Sequence, residues 1–154
     1  MADILTTWDA ANGRGDWTLS AGALTSGNDL YTAVLISLFT DRRAQPSDII
    51  PDGTTNPRGW WGDMTVEGNL DEWGSRLWLL DRSIAPTQAV LNAAIGYCQE
   101  ALAWLVTDGV AAKVDVQANW NANNFLAVLV SIYQTNGTKP VNMTYNLLWN
   151  EIGV

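Results

Sequence analysis

The hydrophobic pattern is strongest between Pro86 and Gly109, where two apolar rows repeat at helical spacing. The first row holds Leu91, Ile95, Cys98, Leu102 and Leu105, and the second holds Val90, Ala94, Tyr97, Ala101 and Trp104. With proline at the start and glycine past the end, this spacing predicts a helix of about 22 residues. Because only a narrow stripe of this helix is polar or small, we expect part of it to meet another element or another subunit.

A shorter helix is predicted from about Asp29 to Phe39. Its apolar positions recur at helical spacing, and they are Leu30, Val34, Leu35 and Leu38. Asn28 supplies a side-chain oxygen just before the helix, and an acidic residue stands in its first turn, as is usual at a helix N-terminus. Upstream, the segment from Ile4 to Gly27 is rich in turn-forming residues and predicts a short hairpin.

Three segments near the C-terminus have the pattern of strands. Val114 to Trp120 and Val141 to Trp149 alternate apolar and polar residues, as half-buried strands do. Phe125 to Tyr133 is almost continuously apolar and rich in β-branched residues, which is typical of a central strand. The short connections predict an antiparallel meander whose apolar face packs on the long helix.

The predicted fold class is α+β, with short N-terminal strands and a helix, a long central helix and a C-terminal antiparallel three-stranded meander. No internal repeat or second domain is visible, so residues 1–154 are predicted to form one domain. Between the helices, Pro46 to Gly62 has too many prolines and glycines for a helix or a ladder, which predicts a long loop anchored by the Trp pair at its end. Leu70 to Leu80 predicts a short helix that Ser75 can start.

Composition excludes several classes of function. Acidic residues outnumber basic ones by 16 to 8, giving a net charge of -8, so the chain lacks the basic surface that nucleic-acid binding needs. There is no histidine and one cysteine, which excludes Ser-His-Asp and Cys-His catalysis and every histidine-containing metal site. We therefore expect no metal, no cofactor and a buried thiol at Cys98.

The N-terminus, beginning Met1-Ala2-Asp3-Ile4, has no charged start followed by an apolar run, so no signal peptide is predicted. No apolar stretch is expected to reach the roughly 20 residues of a membrane helix. The sequence thus predicts a protein that is made in a cytoplasm and stays soluble.

Tryptophan and arginine are concentrated in the middle of the chain. Four of the nine tryptophans lie between Trp60 and Trp78, and five of the six arginines lie in or beside the same region. These two residue types dominate the buried anchor points of protein interfaces. We interpret this region as an assembly surface.

Two other functions compete with assembly at this region. Glycoside cleavage needs two carboxylates beside aromatic platforms, and the candidate acids are Asp63, Glu67, Asp71 and Glu72. The structural alternative is that these acids pair with Arg58, Arg76 and Arg82, and none of them stands in a motif with catalytic meaning. Trp60 and Trp61 can instead stack on a sugar ring, although adjacent tryptophans in a Pro/Gly-rich loop favour one ring in the core and one against a neighbour.

Arg42 and Arg43 have two interpretations as well. Directly after a helix, they can complement the negative C-terminal end of that helix. Alternatively, their guanidinium groups can make forked bonds to a carboxylate across an interface. The sequence leaves both open.

Five short motifs follow one another along the chain: Thr40-Asp41-Arg42-Arg43, Gly59-Trp60-Trp61-Gly62-Asp63, Gly74-Ser75-Arg76-Leu77-Trp78, Glu100-Ala101-Leu102-Ala103-Trp104-Leu105 and Asp108-Gly109-Val110. In this order they resemble the baseplate wedge proteins of Mu-like contractile-tailed phages, and the resemblance covers nearly the whole chain. That family is related to a wider group of small wedge proteins, some labelled lysozyme-like, which carry a Glu-Pro-Arg motif after the first helix. Here Asp41-Arg42-Arg43 matches that place, with Arg43 in the arginine role, Asp instead of Glu and no Pro.

The resemblance implies a structural, non-enzymatic component of the virion tail baseplate, assembled in the host cytoplasm. Its partners would be other baseplate wedge proteins, the tail sheath, whose first ring it would help to seed, and tail tube or hub proteins, with no nucleic acid and no membrane. The last strand is expected at a sheet edge, where a partner's strand can add. The predicted interface residues are Asp41, Arg42, Arg43, Trp60, Trp61, Asp63, Arg76, Trp78, Tyr145 and Trp149.

Overall fold

The computed structural model describes residues 4–64, 72–80, 86–121, 125–137 and 139–148. In these residues the chain forms β1 (Thr6–Asp9), β2 (Arg14–Trp17), β3 (Leu19–Ser20), β4 (Ala23–Leu24), α1 (Asp29–Phe39), α2 (Gln88–Thr107), β5 (Lys113–Trp120), β6 (Phe125–Tyr133) and β7 (Val141–Leu148). Two single 3₁₀ turns, Trp61–Met64 and Leu77–Leu79, lie between the helices. The predicted α+β class is confirmed.

The C-terminal sheet is an antiparallel meander with the order β5-β6-β7. Val116 of β5 is paired with Val130 of β6, and Val128 of β6 is paired with Tyr145 of β7. Alternate residues of β6 are completely or almost completely buried, and they are Leu126, Val128, Val130 and Ile132. One face of the sheet therefore forms the floor of the core, as the alternating pattern predicts.

Both helices cover that face. α2 packs mainly on β5, whereas α1 lies near β7, where the rings of Tyr31 and Phe39 contact Tyr145 at centroid distances of 5.7 and 5.6 Å. The Asn28 side chain accepts the backbone N–H of Tyr31 and so caps α1, and Thr87 caps α2 in the same way. The predicted boundaries of α1 and the central strand agree with the structure.

The apolar rows of α2 are explained by burial. Seven of its residues lie in the core: Val90, Leu91, Ala94, Cys98, Ala101, Leu102 and Leu105. By length and composition α2 is nevertheless long and apolar enough to cross a membrane, as buried core helices of folded domains also are. The expectation that no stretch reaches that length and apolarity is therefore wrong for α2.

The N-terminal segment contains two hairpins, β1–β2 and β3–β4, where the sequence predicted one. Trp8 of β1 joins the first hairpin to the core, because its ring stacks on Phe39 at 3.8 Å and its indole N–H donates to the Asn146 carbonyl at 2.8 Å. The second hairpin is easily missed in a sequence, because each of its strands has only two residues.

The predicted short helix between Leu70 and Leu80 is reduced to the 3₁₀ turn Leu77–Leu79, while residues 70 and 71 lie outside the described ranges. Just before this turn, Ser75 bridges to the end of α1: its N–H donates to the Thr40 carbonyl, and its carbonyl accepts the Arg42 N–H, both at 2.9 Å. Gly74 has a φ of 97°, and a Cβ there would collide with the Thr40 carbonyl. Only glycine permits so close an approach.

Arg76 ties the loop that follows α1 to the long helix. Its Nη1 donates to both carboxylate oxygens of Asp48 at 3.1 and 3.0 Å, and its Nε and Nη2 donate to Glu100 at 2.9 and 3.2 Å. The guanidinium also lies 4.9 Å from the centre of the Tyr97 ring. Burial lowers the pKa of Arg76, but the hydrogen bonds to Glu100 and Asp48 more than offset this, so its pKa is raised. The predicted long loop is thus held against α2.

We expect Arg76→Ala to lower the free energy of unfolding by about 2 to 3 kcal/mol, because it leaves two partly buried carboxylates without their cation. Urea denaturation measures this loss, and limited proteolysis should show faster cutting within residues 44–59. The matched control is Arg14→Ala, since Arg14 makes only an exposed pair with Asp16 at 3.6 Å and such pairs contribute little. Equal denaturation midpoints for the two variants would contradict this role of Arg76.

Candidate protein-interface site

The loop that carries the Trp pair is fixed from both sides. The Ala44 N–H donates to the Pro57 carbonyl at 2.8 Å. Gly59, at a φ of 110°, lies so close to Arg43 that a Cβ there would be 3.1 Å from the Arg43 Cβ. Arg58 donates to Asp41 at 3.1 Å and lies 4.5 Å from the centre of the Trp78 ring. The prediction of an anchored loop agrees with these contacts.

Trp60 and Trp61 lie at the surface, with 41% and 70% of their areas exposed. Their rings are 5.4 Å apart between centroids and tilted by 46°. A Cβ on Gly62 would collide with the Trp60 ring, so the glycine after the pair lets that ring lie across the backbone. The Gly-Trp-Trp-Gly-Asp motif therefore builds a compact surface of two adjacent indoles.

The structure separates the two arginines that follow α1. Arg42 has an internal role: its Nε donates to Glu72 at 3.2 Å, and its carbonyl accepts the Trp78 indole N–H at 2.8 Å. Arg43 is exposed and makes no side-chain hydrogen bond or ion pair with any described residue. Both follow the C-cap residue Thr40 of α1, and their interaction with the end of that helix stays a prediction.

Arg43 lines an open groove together with Trp60, Trp61, Asp63 and Glu72. Asp63 accepts the Trp73 backbone N–H at 3.3 Å through one oxygen, and its other oxygen is buried without a hydrogen-bond partner among the described residues. The groove thus combines two exposed indoles with an arginine that has no carboxylate partner among the described residues. Such a surface suits recognition of another molecule.

The candidate catalytic acids are held in structural contacts where the structure describes them. Glu72 is paired with Arg42, and Asp63 is bound to the Trp73 backbone. Glu67 and Asp71 lie outside the described residues. Within the described part of the chain, no group of three or more His, Cys, Asp or Glu side chains is arranged to hold a metal ion.

Several other predicted interface residues are engaged inside the chain. The Arg76 side chain is only 15% exposed, and Trp78 is half-buried beneath Arg58. Tyr145 is completely buried, and burial raises its pKa. Trp149 lies outside the described residues. The interface role of these four residues stays a prediction.

Sequence reasoning missed two surface features. Trp73 and Trp104 contact each other at a centroid distance of 5.9 Å and, with Ser37, line a pocket between α1 and α2. On the N-terminal hairpins, Trp17 and Leu19 are 60% and 73% exposed. Only the folded chain brings Trp73 next to Trp104, and the hairpin residues carry no recognisable motif.

Comparison of the sequence with known proteins places this chain in a family. The family model described as "Phage protein GP46" matches residues 30–139. The chain is 41% identical to the baseplate protein gp46 of Escherichia phage Mu over 138 residues, which are 90% of this chain and 91% of the relative. It is also 34% identical to the Mu-like prophage FluMu protein gp46 of Haemophilus influenzae over 150 residues, covering 97% of this chain and 99% of the relative.

Both relatives cover almost the whole chain, and the family model spans the Trp and Arg motifs of the groove as well as both helices. The chain therefore belongs to the phage protein GP46 family of Mu-like phage baseplate proteins, and its place is the tail baseplate of the virion.

Proposed function

We propose that this chain is a structural subunit of the wedge of a contractile-tail baseplate. In this role it joins a larger wedge protein around the central hub and helps to seed the tail sheath. It has no catalytic function. Two features of the chain's surface support this role.

The observation that carries the proposal is the groove of Arg43, Trp60 and Trp61. Two large indoles are exposed side by side on a loop that Gly59 and Arg58 hold in place. An interface on a rigid loop costs little conformational entropy when it forms. Trp and Arg are also the residue types enriched at the centres of interfaces. The groove therefore fits a permanent contact with another baseplate protein.

A second surface supports contact with the sheath. β7 lies at an edge of the sheet, and an edge strand can accept a strand from another chain. The Asn146 carbonyl accepts a hydrogen bond from the Trp8 indole N–H and so points away from β6. Because the backbone groups of every second residue point to the same side of a strand, the N–H and C=O groups of Asn142 and Thr144 also point away from β6. Trp8 covers one end of this edge, and the Asn142–Thr144 end is available for a partner strand.

The rival function is binding or cleavage of peptidoglycan or another glycan. Adjacent exposed indoles at Trp60 and Trp61 favour it, because sugar rings stack on such surfaces. Against cleavage, Glu72 is paired with Arg42 and Asp63 with a backbone N–H. The relatives are named as baseplate or prophage proteins and not as enzymes. Assembly is the better supported function.

Trp61→Ala should weaken the association of this chain with its neighbouring wedge protein by roughly 2 kcal/mol or more, because it removes an exposed aromatic anchor. The yield of complete tails, counted by electron microscopy in cells that make the variant with the other tail proteins, measures the effect. Trp17→Ala is the matched control for the loss of an exposed tryptophan. A normal tail yield from folded Trp61→Ala protein contradicts the proposal, and an isolated variant that unfolds assigns Trp61 an internal role instead.

The strand-addition hypothesis is tested at Thr144. Deleting β7 would remove the buried residues Met143, Tyr145 and Leu147 and so unfold the chain, whereas Thr144→Pro removes one outward N–H from an edge strand, where proline is tolerated. We expect wedges to form and sheath assembly to fail. Thr144→Val, which keeps the N–H, should assemble normally. Full-length sheaths on Thr144→Pro baseplates would refute strand addition at this edge.

The glycan alternative has a direct assay. Purified chain should leave peptidoglycan intact under conditions in which a known muramidase degrades it, because the two candidate acids that the structure describes, Asp63 and Glu72, serve structural contacts. If degradation is seen, Asp63→Asn and Glu72→Gln are measured singly. Activity that either substitution abolishes would establish the enzymatic function in place of the structural one.

A further inference from the structure

Arg43 differs from the other arginines that the structure describes. Each of the others has a carboxylate within ion-pair distance: Arg14 with Asp16 at 3.6 Å, Arg42 with Glu72 at 3.2 Å, Arg58 with Asp41 at 3.1 Å, and Arg76 with Asp48 at 3.0 Å. Arg43 has no such partner among the described residues. Although the chain has a net charge of -8, the exposed Arg43 guanidinium thus has no carboxylate partner among the described residues.

The backbone of Arg43 is held rigidly although its side chain is exposed. The N–H of the preceding residue, Arg42, donates to the Ser75 carbonyl, and the N–H of the following residue, Ala44, donates to the Pro57 carbonyl. Gly59 packs directly on Arg43. A Cβ built on Gly59 would lie 3.4 Å from the Arg43 Cα and 3.1 Å from the Arg43 Cβ. The guanidinium therefore projects from a fixed point beside Trp60 and Trp61, and binding does not have to order the loop.

The acids that line the same groove are already engaged. Asp41 is bound by Arg58, Glu72 is bound by Arg42, and Asp63 accepts the Trp73 N–H. Arg58 and Arg42 offset two of these negative charges, so Arg43 leaves too little positive charge at the groove to attract an extended acidic surface. One carboxylate placed at Arg43, however, gains a forked pair with a guanidinium whose geometry matches it. The groove thus favours a local negative charge over a broad acidic patch.

We infer that Arg43 binds the carboxylate of a single Asp or Glu side chain on a neighbouring baseplate protein, while Trp60 and Trp61 pack on apolar residues beside that carboxylate. This inference rests on the proposed function, because it names the chemistry of the partner at the same groove. The partner segment combines one acid with aliphatic or aromatic neighbours and is otherwise not acidic. A glycan in the groove would use the indoles and would offer no carboxylate of a protein side chain.

The experiment is zero-length cross-linking in assembled tails that carry Arg43→Lys. A carbodiimide activates a carboxylate, and a lysine amine in direct contact with it displaces the activating group to form an amide. Mass spectrometry should then identify a peptide that joins position 43 to an Asp or Glu of another tail protein. The background is low, because the natural lysines of the chain are Lys113 and Lys139, both on the C-terminal part.

Arg14→Lys is the matched control, since Arg14 is exposed but lies near its own Asp16, and its cross-links should stay within the chain. Arg43→Glu should weaken association with the neighbouring protein by roughly thirtyfold, the factor for losing an interface anchor, and so lower the tail yield. Changing the cross-linked acid of the partner to Lys should restore that yield. Rescue by charge exchange would confirm direct pairing.

Failure of this inference is distinguishable from failure of the proposed function. If Trp61→Ala reduces tail assembly but position 43 couples only to acids of its own chain, or charge exchange gives no rescue, the carboxylate assignment is wrong and the wedge role stands. If Trp61→Ala and Arg43→Glu both assemble tails at normal yield, the groove is not an interface and both statements fail.

Discussion

One guanidinium links three distant parts of this fold. Arg76 joins Asp48 in the loop after α1 to Glu100 on α2, across sequence separations of 28 and 24 residues. The backbone bridge at Ser75 holds Arg76 against the end of α1 at the same time. A loop rich in proline and glycine, without helix or ladder of its own, thereby gains a defined position on a helix whose buried rows belong to the core. The groove of Arg43, Trp60 and Trp61 has its shape because this loop is held.

The periodic elements were predictable because their signal is local. α1 and the central strand begin and end where the residue pattern indicates, since each element buries a recurring set of apolar side chains. The second N-terminal hairpin was not predictable, and the helix predicted between Leu70 and Leu80 has the wrong length, because two- and three-residue elements have no period. The contact between Trp8 and Asn146, 138 residues apart, depends on tertiary packing alone. The same holds for the Arg76 contacts.

The site was predictable as a region and not as a set of roles. The density of tryptophan and arginine indicates an interface, yet it cannot distinguish Arg42 from Arg43. That distinction depends on Glu72, which is 30 residues from Arg42 in the chain, and on the approach of Gly59 to Arg43. Arg76 and Trp78 hold the loop through contacts inside the chain, and their interface role, like that of Tyr145, stays a prediction. A sequence motif thus contains both residues that hold the loop in place and residues that are exposed on its surface.

Electron cryomicroscopy of the intact tail, at a resolution that shows side chains, tests the assembly role most directly. Density of a neighbouring baseplate protein is expected to cover the Trp60 and Trp61 indoles and to reach the Arg43 guanidinium. If these three side chains face solvent in the complete particle and touch no other chain, the groove is not an assembly surface and the proposed function is wrong.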